Sequence, residues 1–292
     1  MGSIVRTSKL AGKFPSSVRI KIIQPPSFAP ARLLASVMEL RWYGDLLYTL
    51  TLHRIKIRYK QSRLGVAWAV LQPLSLTLVY SVIFSVFTKI PGQSAHYALF
   101  VLSGMLPWTF FQNSLSSSAL GLVTNASLIT KVSFPREIVP LSYVFTAMFD
   151  FSVASLVLVG MMVFYRIHVG IAVLYLAPIL GIEILAAFAF SFLLSAMQVR
   201  FRDIGIAMPL ILQLWMFCSP VVYSLGNVPH RFRILYVLNP MVGIIENFRR
   251  VVIQGVGADL KMLLVSGTVS TILLPLAYLY FKHSEATMAD VI

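Results

Sequence analysis

Arg54, Lys56, Arg58 and Lys60 stand at every second position, alternating with Ile55, Ile57 and Tyr59, and after Arg63 no charge follows until Lys89. Such a cluster can anchor the chain at phospholipid headgroups, or it can also concentrate an anionic cargo. Two acids, Asp150 and Glu183, fall inside apolar runs, each about twelve residues from one end, or roughly 18 Å of helix. A carboxyl at that depth is a functional candidate by default. It can equally be packing glue bonded to neighbouring Ser and Tyr, or a proton relay, although no Lys, Arg or His shares those two runs. Trp68, Tyr80, Phe84, Phe87, Trp108, Phe111, Trp215, Phe217 and Tyr223 lie in or beside the apolar runs. They read either as an interfacial belt or as faces on which the C–H sides of sugar rings can stack. No catalytic residue is expected. The chain lacks G-x-x-x-x-G-K-[ST] and Gly-x-Ser-x-Gly, Gly12-Lys13-Phe14 is a chance pair, and the five histidines stand apart. The single cysteine, Cys218, excludes an intrachain disulfide or a thiolate metal cage, so no metal or cofactor is expected in this chain.

The elements that must position these residues follow from composition. The 292 residues are 58% hydrophobic and 12% charged, with mean hydropathy +0.83. Soluble domains carry about 25% charged residues, so this is an integral membrane protein. The net charge of +14 does not indicate nucleic acid, because removing the apolar runs leaves no soluble basic module. Residues 1–44 hold bases and prolines but no apolar core suited to a signal peptide, and read as a basic cytoplasmic tail.

A membrane helix needs about 20 apolar residues. Six runs qualify: Leu64–Thr88, Tyr97–Val123, Ile138–Tyr165, Ile171–Val199, Ile204–Tyr223 and Met262–Phe281. The expected fold is therefore an all-α membrane protein with six transmembrane helices over 64–282 and a cytoplasmic tail at 283–292. Between the fifth and sixth runs, about 225–257 is punctuated by glycines and by Pro229 and Pro240. It suits two short re-entrant helices entering from one side. With both termini on one side, seventeen of the 24 Lys and Arg fall there, so the termini are expected in the cytoplasm. The alternation at 54–60 is formally a strand pattern, but a lone strand at a bilayer has no sheet to join. Residues 45–63 read instead as an amphipathic interface helix with Leu46, Leu47, Leu50 and Ile57 on its apolar side.

The cytoplasmic loop NASLITKVSFPREIVPLS, Asn125–Ser142, suggests a short helix over Ala126–Ser133 with Asn125 as N-cap and Pro135 as its end. Exposed Leu128, Ile129, Val132 and Phe134 there would invite a protein partner. Together RYKQSRLGVAWAVLQPL (58–74), LITKVSFPREIVPLS (128–142) and SPVVYSL with LNPMVGIIENFRRVVIQG (219–225 and 238–255) resemble the membrane subunit of bacterial polysaccharide ABC exporters. Those are type-2 permeases for O-antigen, capsule or teichoic acid, and the likeness spans about 46–281.

The resemblance implies a homodimer of this chain with two copies of a nucleotide-binding ATPase, ATP and Mg being held by that partner, in the bacterial inner membrane. It implies a coupling helix at about 125–135, using Asn125, Leu128, Ile129, Thr130, Lys131, Phe134 and Pro135, followed by Arg136 and Glu137. It implies a portal for a lipid-linked polysaccharide where Arg54, Lys56, Arg58 and Lys60 meet a diphosphate. It further implies a gate at 225–257 containing Asn239, Pro240, Arg249 and Arg250. Two other readings stand beside it: an ABC permease for a small lipid or drug, and a proton-coupled transporter using Asp150 and Glu183.

Overall fold

The computed structural model describes residues 40–60, 62–87, 97–167, 170–229, 231 and 233–291. The expected tail over 1–39 lies outside them. Every regular element among the described residues is helical. They are α1 (Gly44–Lys60), α2 (Ala67–Phe87), α3 (Tyr97–Thr124), α4 (Ala126–Lys131), α5 (Ile138–Phe164), α6 (Leu176–Arg200), α7 (Asp203–Phe217), α8 (Arg233–Leu238), α9 (Pro240–Val252) and α10 (Leu260–Val291), with short 3-10 turns between some of them. Among the described residues, three stretches are long and apolar enough to cross a membrane: Ile138–Phe164, Ile171–Arg200 and Leu260–Glu285.

α3 is the centre of the bundle and touches α2, α4, α5, α6, α7 and α9. Its sequence explains this. Small residues let neighbouring backbones approach: a Cβ on Gly121 would strike the Tyr143 ring of α5, and one on Gly104 would lie 2.7 Å from an Arg249 nitrogen. Its serines return their hydroxyls to the helix's own carbonyls, and Ser195 of α6 donates to the Ser118 carbonyl at 2.7 Å. α6 packs closely on α10, and α1 lies along α5.

Two expected boundaries move. The fifth apolar run stops being helical at Phe217 rather than Tyr223; its 15 residues cover about 22 Å, short of the ~30 Å hydrocarbon core. The chain turns at Cys218–Pro220, where carbonyls freed from helix are taken up by Arg249. At the other end, the last expected span does not stop at Phe281: α10 runs on as helix through most of the expected tail at 283–292, to Val291. No glycine or proline interrupts it there, and Lys282 pairs with Glu285 at 2.8 Å one turn on.

Candidate functional site

The helical period resolves the basic string. Residues four apart share a face, so Arg54 and Arg58 face one way and Lys56 and Lys60 the other. Arg54 donates to Ser142 Oγ at 2.8 Å, and its guanidinium lies 3.6 Å over the Tyr143 ring. Burial lowers its pKa below the ordinary value, an effect Tyr143 opposes. Arg58 pairs with Asp150 at 2.5 Å, and the Tyr59 hydroxyl donates to the same carboxylate. Lys56 and Lys60 are exposed. The four bases therefore differ in their surroundings: Arg54 and Arg58 are engaged by α5, Arg58 while still partly exposed, and Lys56 and Lys60 lie on the other face. Ile57, expected on the apolar side, is 63% exposed; Tyr59 is the buried residue of α1.

Asp150 thus finds its partners on another helix, and neighbours in its own sequence gave no sign of them. Glu183 does not share this arrangement. It is 1% exposed, and neither carboxyl oxygen has a hydrogen-bond partner among the described residues. Packing by a hydrogen bond to Ser or Tyr accounts for Asp150 and not for Glu183.

Beside the Arg58–Asp150 pair lies a cavity of about 230 Å³ between α1, α2, α3 and α5. Trp68, Gln72, Phe110, Asn113 and Phe151 wall it.

The short helix α4 follows α3 directly. Asn125 precedes it but makes no side-chain cap. Its amide turns back to the Gly121 carbonyl at 2.6 Å and to the Tyr143 hydroxyl at 3.2 Å, closing the end of α3. The helix stops at Lys131, two residues before the expected end. Ile129 is buried, Leu128, Phe134 and Pro135 are half-buried, and Thr130, Lys131 and Val132 are exposed. The expected apolar docking face thus shrinks to Val132 beside two polar residues, because Ile129 and Phe134 pack with Leu122, Val139 and Phe192. The next two residues tie this loop to α10. Arg136 donates to the Glu285 carbonyl at 2.6 Å, Lys282 pairs with Glu137, and the Tyr278 hydroxyl donates to Glu137 at 3.0 Å.

At the other end of the molecule Asn239 caps α9 with Pro240 at its first turn. The Asn239 side chain accepts from Met241 N and Trp215 Nε1 at 3.1 Å and donates to Ser219 Oγ at 2.9 Å. One amide therefore joins α7, the turn after it and α9. Arg249 is 1% exposed. It donates to the Pro220 and Val221 carbonyls at 3.0 and 2.9 Å, meets Glu246 at 3.3 Å, and lies 3.7 Å over Phe100. Arg250 is half-buried and reaches the Gly257 carbonyl at 3.4 Å.

The aromatics divide as well. Trp108 and Phe111 are fully buried inside the bundle, where Phe111, Phe190 and Trp215 pack edge to face with centroids 4.9–5.6 Å apart. They form protein core, which corrects their expected place on a path. Trp68 and Phe217 are exposed, whereas Tyr80 and Tyr223 are half-buried, Tyr223 bonding the Tyr236 hydroxyl at 2.9 Å. The side chains of Phe84 and Phe87 lie outside the described residues.

Residues 45–253 match the family model for the ABC-2 type transporter. The chain belongs to that family. An O-antigen export system permease protein of Myxococcus xanthus is 30% identical over 89% of this chain and 100% of its own length. One of the same description from Klebsiella pneumoniae is 29% identical over 80% of this chain and 91% of its own. A polysialic acid transport protein of Escherichia coli is 23% identical over 82% and 94%. In this ABC-2 chain, sequence reasoning missed Tyr59, Tyr143, Tyr278 and Lys282 as partners of the candidate site residues. A weak signal existed for one: Glu137 and Lys282 are opposite charges at the ends of two apolar runs on the same side.

Proposed function

We propose that this chain is the permease subunit of an ATP-driven exporter that moves a lipid-linked polysaccharide, O-antigen-like in class, across the bacterial inner membrane. The observation that carries this is the similarity, along nearly their whole lengths, to proteins named as O-antigen export permeases. Six spans with both termini cytoplasmic are supported by the order of apolar helices and the excess of Lys and Arg on the terminal side. Two copies form the channel and bind two ATPase subunits, which hold ATP and Mg. On this reading α4 docks on the ATPase through Thr130, Lys131 and Val132, with its buried side seated on the bundle. ATP-driven closure of the ATPases displaces α4 together with the start of α5 and the end of α10, which the Glu137–Lys282 pair joins. α5 then carries the displacement to Asp150, and through Arg58 to α1 at the portal. α8 and α9 close the opposite mouth.

The test is co-purification from native membranes in mild detergent. A stoichiometric P-loop ATPase is expected with the wild-type chain and is lost when Thr130, Lys131 and Val132 are changed together to Asp, Glu and Asp. Ile129 is unsuitable for this purpose because it is buried. Recovery of the chain without any ATPase across several detergents sinks the proposal.

A further inference from the structure

The cavity beside Asp150 has a lining unlike that of an anion site. Its two charged residues are Arg58 and Asp150, and they neutralise each other at 2.5 Å. An anion placed there would have to compete with a carboxylate already held. The other polar side chains include the Tyr59 hydroxyl, held by Asp150, the Thr109 hydroxyl, which donates to the Leu106 carbonyl, and the amides of Gln72 and Asn113, neither of which bonds a described residue. Each amide offers a donor and an acceptor. Asp150 has accepted two hydrogen bonds and has lone pairs to spare. Pro73 of α2 also lines the cavity and lacks the N–H that would otherwise bond the Ala69 carbonyl, which leaves an acceptor at the wall. Gln72 is exposed and Asn113 half-buried, so both amides are open to water or to a ligand. Apolar side chains complete the lining, the exposed Trp68 indole among them.

From this arrangement we infer that the cavity binds one neutral, hydroxyl-rich ring, a sugar unit of the lipid-linked substrate. A sugar ring offers both surfaces this cavity matches: an apolar C–H face for Trp68 and a rim of hydroxyls that donate to Asp150 and exchange hydrogen bonds with Gln72 and Asn113. The volume, about 230 Å³, lies below the 300–1,000 Å³ of sites for drug-sized ligands and suits a single ring. The exposed Lys56 and Lys60 on the far side of α1 then meet the diphosphate, so α1 separates charge recognition from sugar recognition. This inference rests on the exporter reading for the source of the sugar, while the site itself is defined by its own lining.

The experiment uses the full-length chain with its co-purifying partners in lipid nanodiscs. The probes are diazirine-bearing decyl hexosides (glucoside, galactoside and N-acetylglucosaminide), with decyl phosphate and decanol carrying the same diazirine as comparators. At least one hexoside is expected to label peptides containing Trp68, Gln72 or Asn113 in preference to both comparators. Gln72→Leu with Asn113→Leu is expected to cut that labelling about tenfold, and Trp68→Phe to retain more of it than Trp68→Ala. Thermal melting of each variant shows that it is folded. Equal labelling by decanol would make the cavity a lipid-tail hole. Stronger labelling by decyl phosphate would make it a headgroup site, and unchanged labelling in the folded double variant would place the sugar elsewhere; each overturns the inference. Its failure is distinct from failure of the exporter reading, which is judged by whether deleting the chain abolishes surface polysaccharide.

Discussion

Two arginines, Arg249 of α9 and Arg58 of α1, show how one residue type takes two roles. The Arg249 side chain is 2% exposed and meets two carbonyls, a carboxylate and a ring. A guanidinium is taken into a protein interior only where fixed acceptors replace water, and here the turn after α7 supplies them. Gly104 completes the arrangement, since a Cβ there would enter the space of the guanidinium and the Val221 carbonyl. The Arg58 side chain is 40% exposed and has one carboxylate partner, beside a cavity with unmatched amides. Arg249 holds α9 in one place, whereas Arg58 holds α1 by a contact that can be remade. A guanidinium enclosed by fixed acceptors makes a lock even with its Nε unbonded among the described residues, and a partly solvated one leaves room for a ligand or a motion.

The comparison breaks most visibly at Arg249. Arg249→Met strands the Pro220 and Val221 carbonyls and Glu246, with an expected loss of about 3–5 kcal/mol, read as a lower melting temperature in detergent. Gly104→Val attacks the same contact, so the two losses are expected to be less than additive. A mild Arg249→Met would place the rigidity of α9 elsewhere.

Arg58→Met leaves Asp150 with Tyr59 as its partner. Because Arg58 is partly solvated, the expected cost is smaller, about 1–3 kcal/mol. Arg58→Met combined with Asp150→Leu is expected to recover most of the stability while export stays impaired. Recovery of export along with stability would show that the pair serves the fold alone.

The smallest effect on stability belongs to the outward bases. Lys56→Gln with Lys60→Gln is expected to shift stability by less than about 0.5 kcal/mol. Binding of the solubilised chain to vesicles containing an anionic lipid should nevertheless weaken and lose part of its salt dependence. An unchanged salt dependence would remove these lysines from any headgroup contact.

Much of the helical plan was legible in the chain because its signals are local. Pro240 behind Asn239 marks the start of α9, and the apolar runs locate α2, α3, α5, α6 and the greater part of α10 to within a few residues. Family membership was legible too, through three motifs in order. The candidate site was legible in its residue types but not in its pairings. Arg54, Arg58, Asp150, Glu137 and Arg249 stood out as charges within or beside apolar runs, but their environments did not.

The sequence by itself determined that the described chain would be helical, that Arg54 and Arg58 would share a face apart from Lys56 and Lys60, and that Asp150 and Glu183 would lie deep in apolar helices. These follow from hydropathy and the 3.6-residue period, which act over a few neighbours. Only the tertiary structure decided which face of α1 meets α5, that Asp150 has hydrogen-bond partners among the described residues and Glu183 has none there, that Trp108 and Phe111 belong to the core, and that Lys282 reaches Glu137. Those pairs join residues roughly 90 to 150 positions apart, and their choice depends on which helices pack together, information that no local window of sequence contains.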